Sequence, residues 1–431
     1  MTGTTTTTGT AMTGTAMTGT ATTGITAART AVITGLGVLA PTGLGAEAYW
    51  AATSAGQCAI GPITHYDAGA YPLTVGGQLP GFDVGAHVER RWVVQTDRFT
   101  HIALAAAQLA LDDAALDPAR LPPYGMGVVT ASCAGGVDFG QREIQGLWTE
   151  GPGAVGPYQS IAWFYAASTG QISIRHGLKG PCGVLVTDEA GGLDALAHAA
   201  REIGRGRAAM LAGGAEAPYA PFSLACQYGH GLLSGQRDPS RAYLPFSASA
   251  GGFVPAEGGA MLVVEEASGA RERGATPRAV IAGHASTFTG AFRPGPSAEG
   301  LARAAALALA EAGRSAADVD VVFADALGTP EADRAEAEAL RILFGHRAAA
   351  VPVAAPKAGT GRAYAGSAAL DTACAVLSME QGLIPPVPNL TDPAHDLDLV
   401  RGTARRADLE TVLILARGLY GGNSALVLTR P

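Results

Sequence analysis

The stretch from Val184 to Asp194 reads V-L-V-T-D-E-A-G-G-L-D, and it continues as A-L-A-H-A-A-R-E-I at 195–203. The apolar start predicts a buried strand, the glycine pair a tight turn, and the amphipathic continuation a helix. This layout commonly holds a nucleophile at a helix N-terminus, where the macrodipole stabilises negative charge. Here the turn carries Glu189, so a carboxylate stands where a nucleophile would be expected.

Strand and helix patterns alternate along the rest of the chain. From Arg29, R-T-A-V-I-T-G-L-G-V-L-A-P-T-G predicts a buried strand and a turn, and the pattern starts again after E-E-A-S-G-A-R-E-R-G at 265–274. Further strands are predicted at 127–130, 208–212, 260–264, 278–285, 319–326 and after 351, with a closing pair in 411–428. Helices are predicted at 101–115, 301–313, 333–343 and up to 379. The sequence therefore predicts an α/β protein of two similar halves, 29–270 and 271–431.

Composition narrows the class of function. Of the 431 residues, 48% are hydrophobic and 15% are charged, so we expect a large core and a surface that another subunit partly covers. The net charge of -8 disfavours nucleic acid and anionic membrane surfaces as partners. The sequence has no uninterrupted run of about 18 apolar residues, so a membrane span is not predicted.

Cysteine usage and the N-terminal segment carry further information. The five cysteines are odd in number and lack C-x-x-C spacing, which predicts neither disulfides nor a zinc site and favours a reducing cytoplasm. Cys182, placed before the strand, is expected to be a small buried residue. Half of the first 28 residues are threonine, which predicts a disordered tail at 1–28 and not a secretory signal.

Three segments, which follow one another in the same order as in the family, resemble the β-ketoacyl synthases, which have a thiolase-like fold. They are G-P-C-G-V-L-V-T-D-E-A-G-G-L-D-A-L at 180–196, R-A-Y-L-P-F-S-A-S-A-G-G-F-V-P-A-E-G-G-A at 241–260, and G-L-Y-G-G-N-S-A-L-V-L at 418–428. They are similar to the family's nucleophile segment, its G-F-V-x-G-E-G signature and its closing hairpin. The resemblance extends from about Arg29 to the C-terminus and implies a layered α-β-α-β-α core.

The catalytic positions of that family are substituted in this chain. A decarboxylative Claisen condensation needs a thiolate to carry the acyl group and two histidines to assist decarboxylation and hold the developing negative charge. At the matching positions this chain has Glu189, Asp325 in F-A-D-A-L-G-T-P, and Arg362 in P-K-A-G-T-G-R-A-Y-A-G, and it keeps Lys357. The resemblance therefore implies that the chain has no condensation activity of its own.

The same substitutions resemble the chain-length factor, the ketosynthase β subunit of type II polyketide synthases. V-F-A-D-A, D-R-A-E-A-E-A-L, P-K-x-x-T-G-R-x-Y and A-G-G-L-D-A-L are close to that subunit, although Gln is usual at the position of Glu189. The resemblance implies a heterodimer with a catalytic ketosynthase and a role in antibiotic biosynthesis. It implies no cofactor, because the growing polyketide chain is presented on the phosphopantetheine of an acyl carrier protein.

The resemblance also brings four charged residues into one pocket. Because a buried carboxylate without a partner is costly, we expect Arg362 to pair with Glu189 or Asp325 within about 4 Å, with Lys357 nearby. The alternative is that these are unpaired charges in surface loops.

A second candidate site lies in G-G-V-D-F-G-Q-R-E-I-Q-G-L-W at 135–148, where Val137, Gly140 and Ile144 would share one helix face. In the chain-length factor these positions, with that of Ile161 in Y-Q-S-I-A-W-F-Y-A, gate the end of the polyketide tunnel and often carry aromatic rings. We call these four residues the gate residues. Their smaller side chains predict a long product; the alternative is that they are ordinary core contacts.

Two rival functions remain at this point. Cys133, in V-V-T-A-S-C-A-G-G, could serve an active β-ketoacyl synthase or thiolase-like condensing enzyme, although no histidine segment survives to assist it. Specific iodoacetamide labelling of Cys133 with loss of condensation would favour that reading. A third reading is a separate small-molecule binding protein, against which co-purification with a ketosynthase would weigh.

Overall fold

A computed structural model describes residues 1–3, 29–290 and 296–431. The predicted tail at 1–28 therefore lies outside the described residues, apart from 1–3. In the part of the chain that is described, no helix is both long and apolar enough to cross a bilayer.

Each half contributes eight described strands. In the first half they are β1 (Ala31–Ala40), β2 (Gly43–Leu44), β3 (Ile60–Pro62), β4 (Val75–Gly77), β5 (Met126–Ala131), β6 (Cys182–Leu185), β7 (Ala209–Glu216) and β8 (Gly258–Glu266). In the second half they are β9 (Ala279–Phe288), β10 (Val321–Phe323), β11 (Pro352–Ala354), β12 (Leu383–Ile384), β13 (Asp398–Leu399), β14 (Arg405–Arg406), β15 (Thr411–Arg417) and β16 (Gly422–Thr429).

The helices lie between these strands, as the sequence predicts. In the first half they are α1 (Ala46–Ser54), α2 (Val84–His87), α3 (Arg90–Val93), α4 (Arg98–Asp113), α5 (Val137–Glu150), α6 (Gln159–Ala162), α7 (Ala167–His176), α8 (Gly191–Gly204), α9 (Pro221–Tyr228) and α10 (Ala267–Glu272). In the second half they are α11 (Ala298–Glu311), α12 (Pro330–Phe344), α13 (Lys357–Thr360) and α14 (Ala365–Gln381).

The two halves repeat one strand order. From the centre outwards, the first half runs β1-β8-β7-β5-β6 and the second runs β9-β16-β15-β10-β11. When only these five strands of each half are counted in chain order, both halves run first, fifth, fourth, second, third from the centre outwards. The halves join where β1 pairs with β9, with Val32 opposite Val280. The prediction of two similar α/β halves is confirmed.

Helices α8 and α14 form the layer between the two halves of the sheet. Both contact first-half strands and each other; α8 also contacts β9 and β16, and α14 contacts β15. A Cβ on Gly192 would lie 2.7 Å from the carbonyl oxygen of Ala365, so a glycine permits this close contact. Helices α4 and α7 cover the outside of the first half, and α11 and α12 that of the second. This is the expected α-β-α-β-α layering.

Strand β6 lies at the edge of the sheet, and it is less buried than the sequence predicts. It pairs with β5 on one side, and its residues are half-buried or exposed. Val186, just after it, is 50% exposed, and Cys182 is exposed and not the expected buried residue. An apolar run indicates burial on both faces, but an edge strand in a single chain leaves one side open.

Candidate functional site

The turn after β6 holds Glu189 inside the protein. Asp188 adopts a left-handed backbone with φ of 58°, and a 3-10 turn over Asp188–Ala190 leads into α8. The Asp188 Oδ2 atom accepts a hydrogen bond of 2.5 Å from the backbone N–H of Leu419, which ties the turn to the closing hairpin. Glu189 is 1% exposed. The predicted sharp turn is present, and it points a carboxylate into the core.

Arg362 binds both carboxylates named by the sequence. Its Nε donates to the Oε2 of Glu189, and its Nη2 donates to the Oδ1 of Asp325 at 2.7 Å. Its Nη1 donates to the backbone carbonyl of Asp325, also at 2.7 Å. The guanidinium is buried, and backbone hydrogen bonds to Val254 and Ala256 fix the segment that carries it. The predicted ion pairing is confirmed, and unpaired surface charges are ruled out.

Asp325 has a second cationic partner, Arg417, which was not predicted from the sequence. The Arg417 Nε lies 3.1 Å from Asp325 Oδ2, and Arg417 Nη2 lies 3.0 Å from Glu336 Oε2. Glu336 also accepts hydrogen bonds of 2.8 Å from the backbone N–H groups of Asp325 and Ala326. Burial would raise the pKa of Asp325, but Arg362, Arg417 and Lys357 outweigh burial and hold it well below its usual range.

Lys357 lies in the same region but pairs elsewhere. Its Nζ lies 2.6 Å from the Oδ2 of Asp371, another residue that the sequence reading missed. It also donates to the backbone carbonyls of Ala324 and Asp325, each at 3.0 Å. We call the buried cluster of Glu189, Asp325, Glu336, Lys357, Arg362, Asp371 and Arg417 the ion network.

The ion network contains four acids and three bases, so one negative charge has no cationic counterpart within it. Burial raises the pKa of Glu189 to about 7, with Arg362 opposing the rise and the nearby Asp188 and Asp325 adding to it. Glu189 Oε1 has no hydrogen-bond partner among the described residues. Glu189 thus lies beside the cation of Arg362, and it also takes up a proton near neutral pH.

Cys133 faces Glu189 across a cavity of about 180 Å³. Burial raises the pKa of the Cys133 thiol well above its ordinary value, and the carboxylates of Glu216, Asp188 and Glu189 raise it further. His230 lines the same cavity, which the sequence did not predict, but it is exposed and its ring lies against Tyr420. Within the described residues no hydrogen bond joins Cys133 to a histidine. An acidic surrounding is the opposite of what a reactive thiolate needs.

The gate residues lie on two helices that contact each other. Val137, Gly140 and Ile144 are on α5, and Ile161 is on α6. Gly140 is buried, whereas Ile144 is 45% and Ile161 is 36% exposed. The two isoleucines are therefore surface residues of this chain and not ordinary core contacts. A Cβ on Gly140 would lie 3.8 Å from the Cβ of Trp163 and 4.0 Å from the Nε2 of Gln159, so a methyl group would fit there in ordinary van der Waals contact.

Family profiles match most of the chain. The profile described as "Beta-ketoacyl synthase, N-terminal domain" matches residues 28–270, and "Beta-ketoacyl synthase, C-terminal domain" matches 278–391. The chain belongs to the β-ketoacyl synthase family. This membership agrees with the duplicated fold.

Individual relatives cover nearly the whole chain. A Streptomyces halstedii protein named as a polyketide beta-ketoacyl synthase 2 is 60% identical over 94% of this chain and 98% of its own length. The tetracenomycin polyketide synthase ketoacyl synthase beta subunit of Streptomyces glaucescens is 54% identical over 93% and 98%. The structure described as the ishigamide ketosynthase/chain length factor covers 94% of this chain and 100% of its own, with a TM-score of 0.86 and 27% identity.

Proposed function

We propose that this chain is the chain-length factor of a type II polyketide synthase. It does not catalyse condensation, pairs with a catalytic ketosynthase, and shapes the tunnel that sets the length of the polyketide. The observation that supports the proposal is the ion network, because three of its members, Glu189, Asp325 and Arg362, stand by resemblance at the positions of the family's cysteine and two histidines. The chain needs no cofactor of its own, because the substrate arrives on the phosphopantetheine of an acyl carrier protein.

The chemistry of the ion network supports a non-catalytic role. The donors of Arg362 that face the pocket are bonded to Glu189 and Asp325, so they are not free to stabilise a developing oxyanion. A guanidinium also does not give up a proton at physiological pH, so Arg362 cannot replace a histidine in acid–base catalysis. Glu189 would have to form a mixed anhydride to carry an acyl group, and it is already engaged by Arg362.

The surface around the gate residues supports a partner subunit. Large apolar side chains are exposed there, namely Ile144, Trp148, Val155, Tyr158, Ile161, Trp163, Phe164 and, after β6, Val186. A set of exposed apolar side chains next to an unpaired strand edge is typical of an interface. The acidic chain has little electrostatic attraction for an acidic carrier protein, which favours carrier docking on the ketosynthase.

The gate residues support the second half of the proposal. By the resemblance these positions face the polyketide tunnel. Ile144 and Ile161 are exposed on this surface, and Gly140 has no side chain that would fill space beside α5. A growing chain can fill volume that an aromatic ring would occupy, so we infer a long product.

The experiment is reconstitution. The chain is purified alone and with a ketosynthase that has an intact cysteine elbow, and both samples receive malonyl groups on an acyl carrier protein. We expect a stable heterodimer that condenses, no condensation by the chain alone, and complete loss when the partner's cysteine is replaced. Condensation by the chain alone that disappears in Cys133→Ala would overturn the proposal in favour of an active enzyme.

A further inference from the structure

Helix α5, which carries three gate residues, has little burial to hold it in place. Of its described residues only Gly140 is fully buried, while Trp148 at its far end is 82% exposed. Hydrophobic packing of a single glycine cannot fix the depth of a helix, because a glycine has almost no apolar surface to bury. The position of α5 in the single chain therefore depends on polar contacts as well. Along the helix, Gln141 accepts a 2.8 Å hydrogen bond from the N–H of Phe222 and Glu143 accepts one from the N–H of Gly156, and a further contact holds its start.

A buried carboxylate makes that contact. Asp97 is 1% exposed, and its Oδ2 accepts a 2.7 Å hydrogen bond from the backbone N–H of Phe139, next to Gly140. Its Oδ1 accepts a 3.2 Å bond from the N–H of Phe99, where it caps the buried helix α4. One side chain thus joins the first turn of the gate helix to the first turn of a core helix.

The backbone at Gly136 passes close to Asp97, where a side chain would not fit. A Cβ on Gly136, the residue before α5, would lie 2.8 Å from the Cβ of Asp97 and 2.0 Å from the carbonyl oxygen of Ala162. The N–H of Gly136 donates to the carbonyl of Trp163 at 2.9 Å, just after α6. The loop is therefore held between Asp97 and α6, so a change at Asp97 reaches both gate helices.

A second buried acid holds the other end of the same loop. Glu216, at the end of β7, accepts from the N–H of Cys133 and from the hydroxyl of Ser132 at 3.4 Å. Neither Asp97 nor Glu216 belongs to an ion pair within residues 29–290 and 296–431. Burial raises the pKa of Asp97 to about 6, with the N–H groups of Phe139 and Phe99 opposing the rise, so Asp97 is mostly ionised at neutral pH. An ionised acceptor makes shorter and stronger hydrogen bonds than a neutral one.

We propose that Asp97 is a positioning residue that sets product length by fixing the depth of α5, although it does not line the tunnel itself. This inference rests on the proposed function, because it assumes that α5 gates a polyketide chain. Glu216 assists by holding the loop that precedes α5.

The test is Asp97→Ser in the reconstituted heterodimer. A serine is a good cap for α4, but its short side chain cannot also reach the N–H of Phe139, so the substitution cuts the link to α5 and keeps the cap. The matched control is Asp138→Ser, which removes an acid from the same helix; Asp138 is half exposed and pairs with Arg142 at 3.6 Å. Product length is read by mass spectrometry, and the mobility of α5 by hydrogen exchange.

We expect Asp97→Ser to raise hydrogen exchange in the first turns of α5 by about tenfold, the factor for loss of one buried hydrogen bond, with total condensation within about threefold. The ratio of minor to main product lengths should rise by a similar factor, and Asp138→Ser should change neither quantity. A lower yield with an unchanged length distribution overturns the inference, because a purely structural residue would behave in that way.

Two further variants separate the possible failures. If Asp97→Ser does not fold, Asp97→Asn is judged by the same criteria. Asparagine has the size of aspartate, but its one amide oxygen replaces two carboxylate oxygens, so one of the two N–H donors loses its acceptor. If Gly140→Phe shifts the product and the Asp97 variants do not, the positioning role is wrong and the proposed function stands. If neither shifts it, the gate itself is wrong.

Discussion

Replacing Arg362 by methionine tests the ion network at its centre. The substitution keeps most of the side-chain volume but removes the donors that bind Glu189 and Asp325, both about 1% exposed. Asp325 retains Arg417, whereas Glu189 loses its cationic partner. Removing one partner of a buried ion pair costs about 3–5 kcal/mol, because a charge or a forced protonation is left behind.

The expected change in melting temperature follows from the size of the chain. For 431 residues, an unfolding entropy of about 2 cal/mol/K per residue gives about 0.9 kcal/mol/K in total, so Arg362→Met should lower the melting temperature by about 3–6 °C. Calorimetry of the purified protein measures this, with all variants compared in the same assembly state. The matched control is Arg341→Met, whose pair with Glu338 is 43% and 52% exposed and should contribute less than about 0.5 kcal/mol.

A double-mutant cycle separates the ion pair from simple packing loss. In the Arg362→Met background, Glu189→Leu removes the stranded carboxylate and should restore at least about 1 kcal/mol. If Arg362→Met melts like Arg341→Met, or if the two core substitutions are additive within about 0.5 kcal/mol, the network does not hold the pocket together and the reasoning is refuted.

Three other predictions concern the same core. Burial raises the pKa of Glu189 from 4.5 to about 7, so its contribution to stability is present below about pH 4.5 and is lost as the pH rises through 7. Glu189→Gln should therefore remove up to about 3 kcal/mol of the pH dependence of stability between about pH 4.5 and 7, seen as a flatter plot of melting temperature against pH; an unchanged slope would contradict the raised pKa. Cys133→Ala should leave condensation by the heterodimer within about twofold, and iodoacetamide should label exposed Cys226 before Cys133; loss of activity would show a reactive thiol. Gly192→Ala should destabilise by about 1–3 kcal/mol where α8 meets α14, whereas Gly204→Ala, at an open position of the same helix, should not; equal melting temperatures would refute the close contact.

Much of the fold follows from local patterns. The turn at Glu189 and the repeat of the strand and helix pattern in two halves depend on apolar runs and glycines close together in sequence, so they could be predicted. The burial of β6 could not, because an apolar run is the same in a central strand and in an edge strand that a partner covers. The wrong prediction that Cys182 is buried has the same cause, because Cys182 is the first residue of β6.

The site was only partly visible in the sequence. The pairing of Arg362 with Glu189 and Asp325 could be expected because the family resemblance brings the three segments together. Arg417 is 92 positions from Asp325, and no local pattern marks a buried arginine that binds a distant carboxylate. Glu336 and Asp371 lie within helices, where acids usually face solvent, so only the tertiary structure shows that they are buried acceptors.

The length of the product made with Gly140→Phe decides whether this chain sets product length. The variant and the wild type are each reconstituted with the same ketosynthase and carrier protein, and Gly204→Phe, at an open position of α8, serves as the control. A ring at Gly140 would fill space beside Trp163 that, in the proposed function, the growing chain occupies. We predict a product shorter by at least one extender unit, with the control unchanged. A product of unchanged length at unchanged yield would contradict the claim that this chain sets product length through the space beside α5.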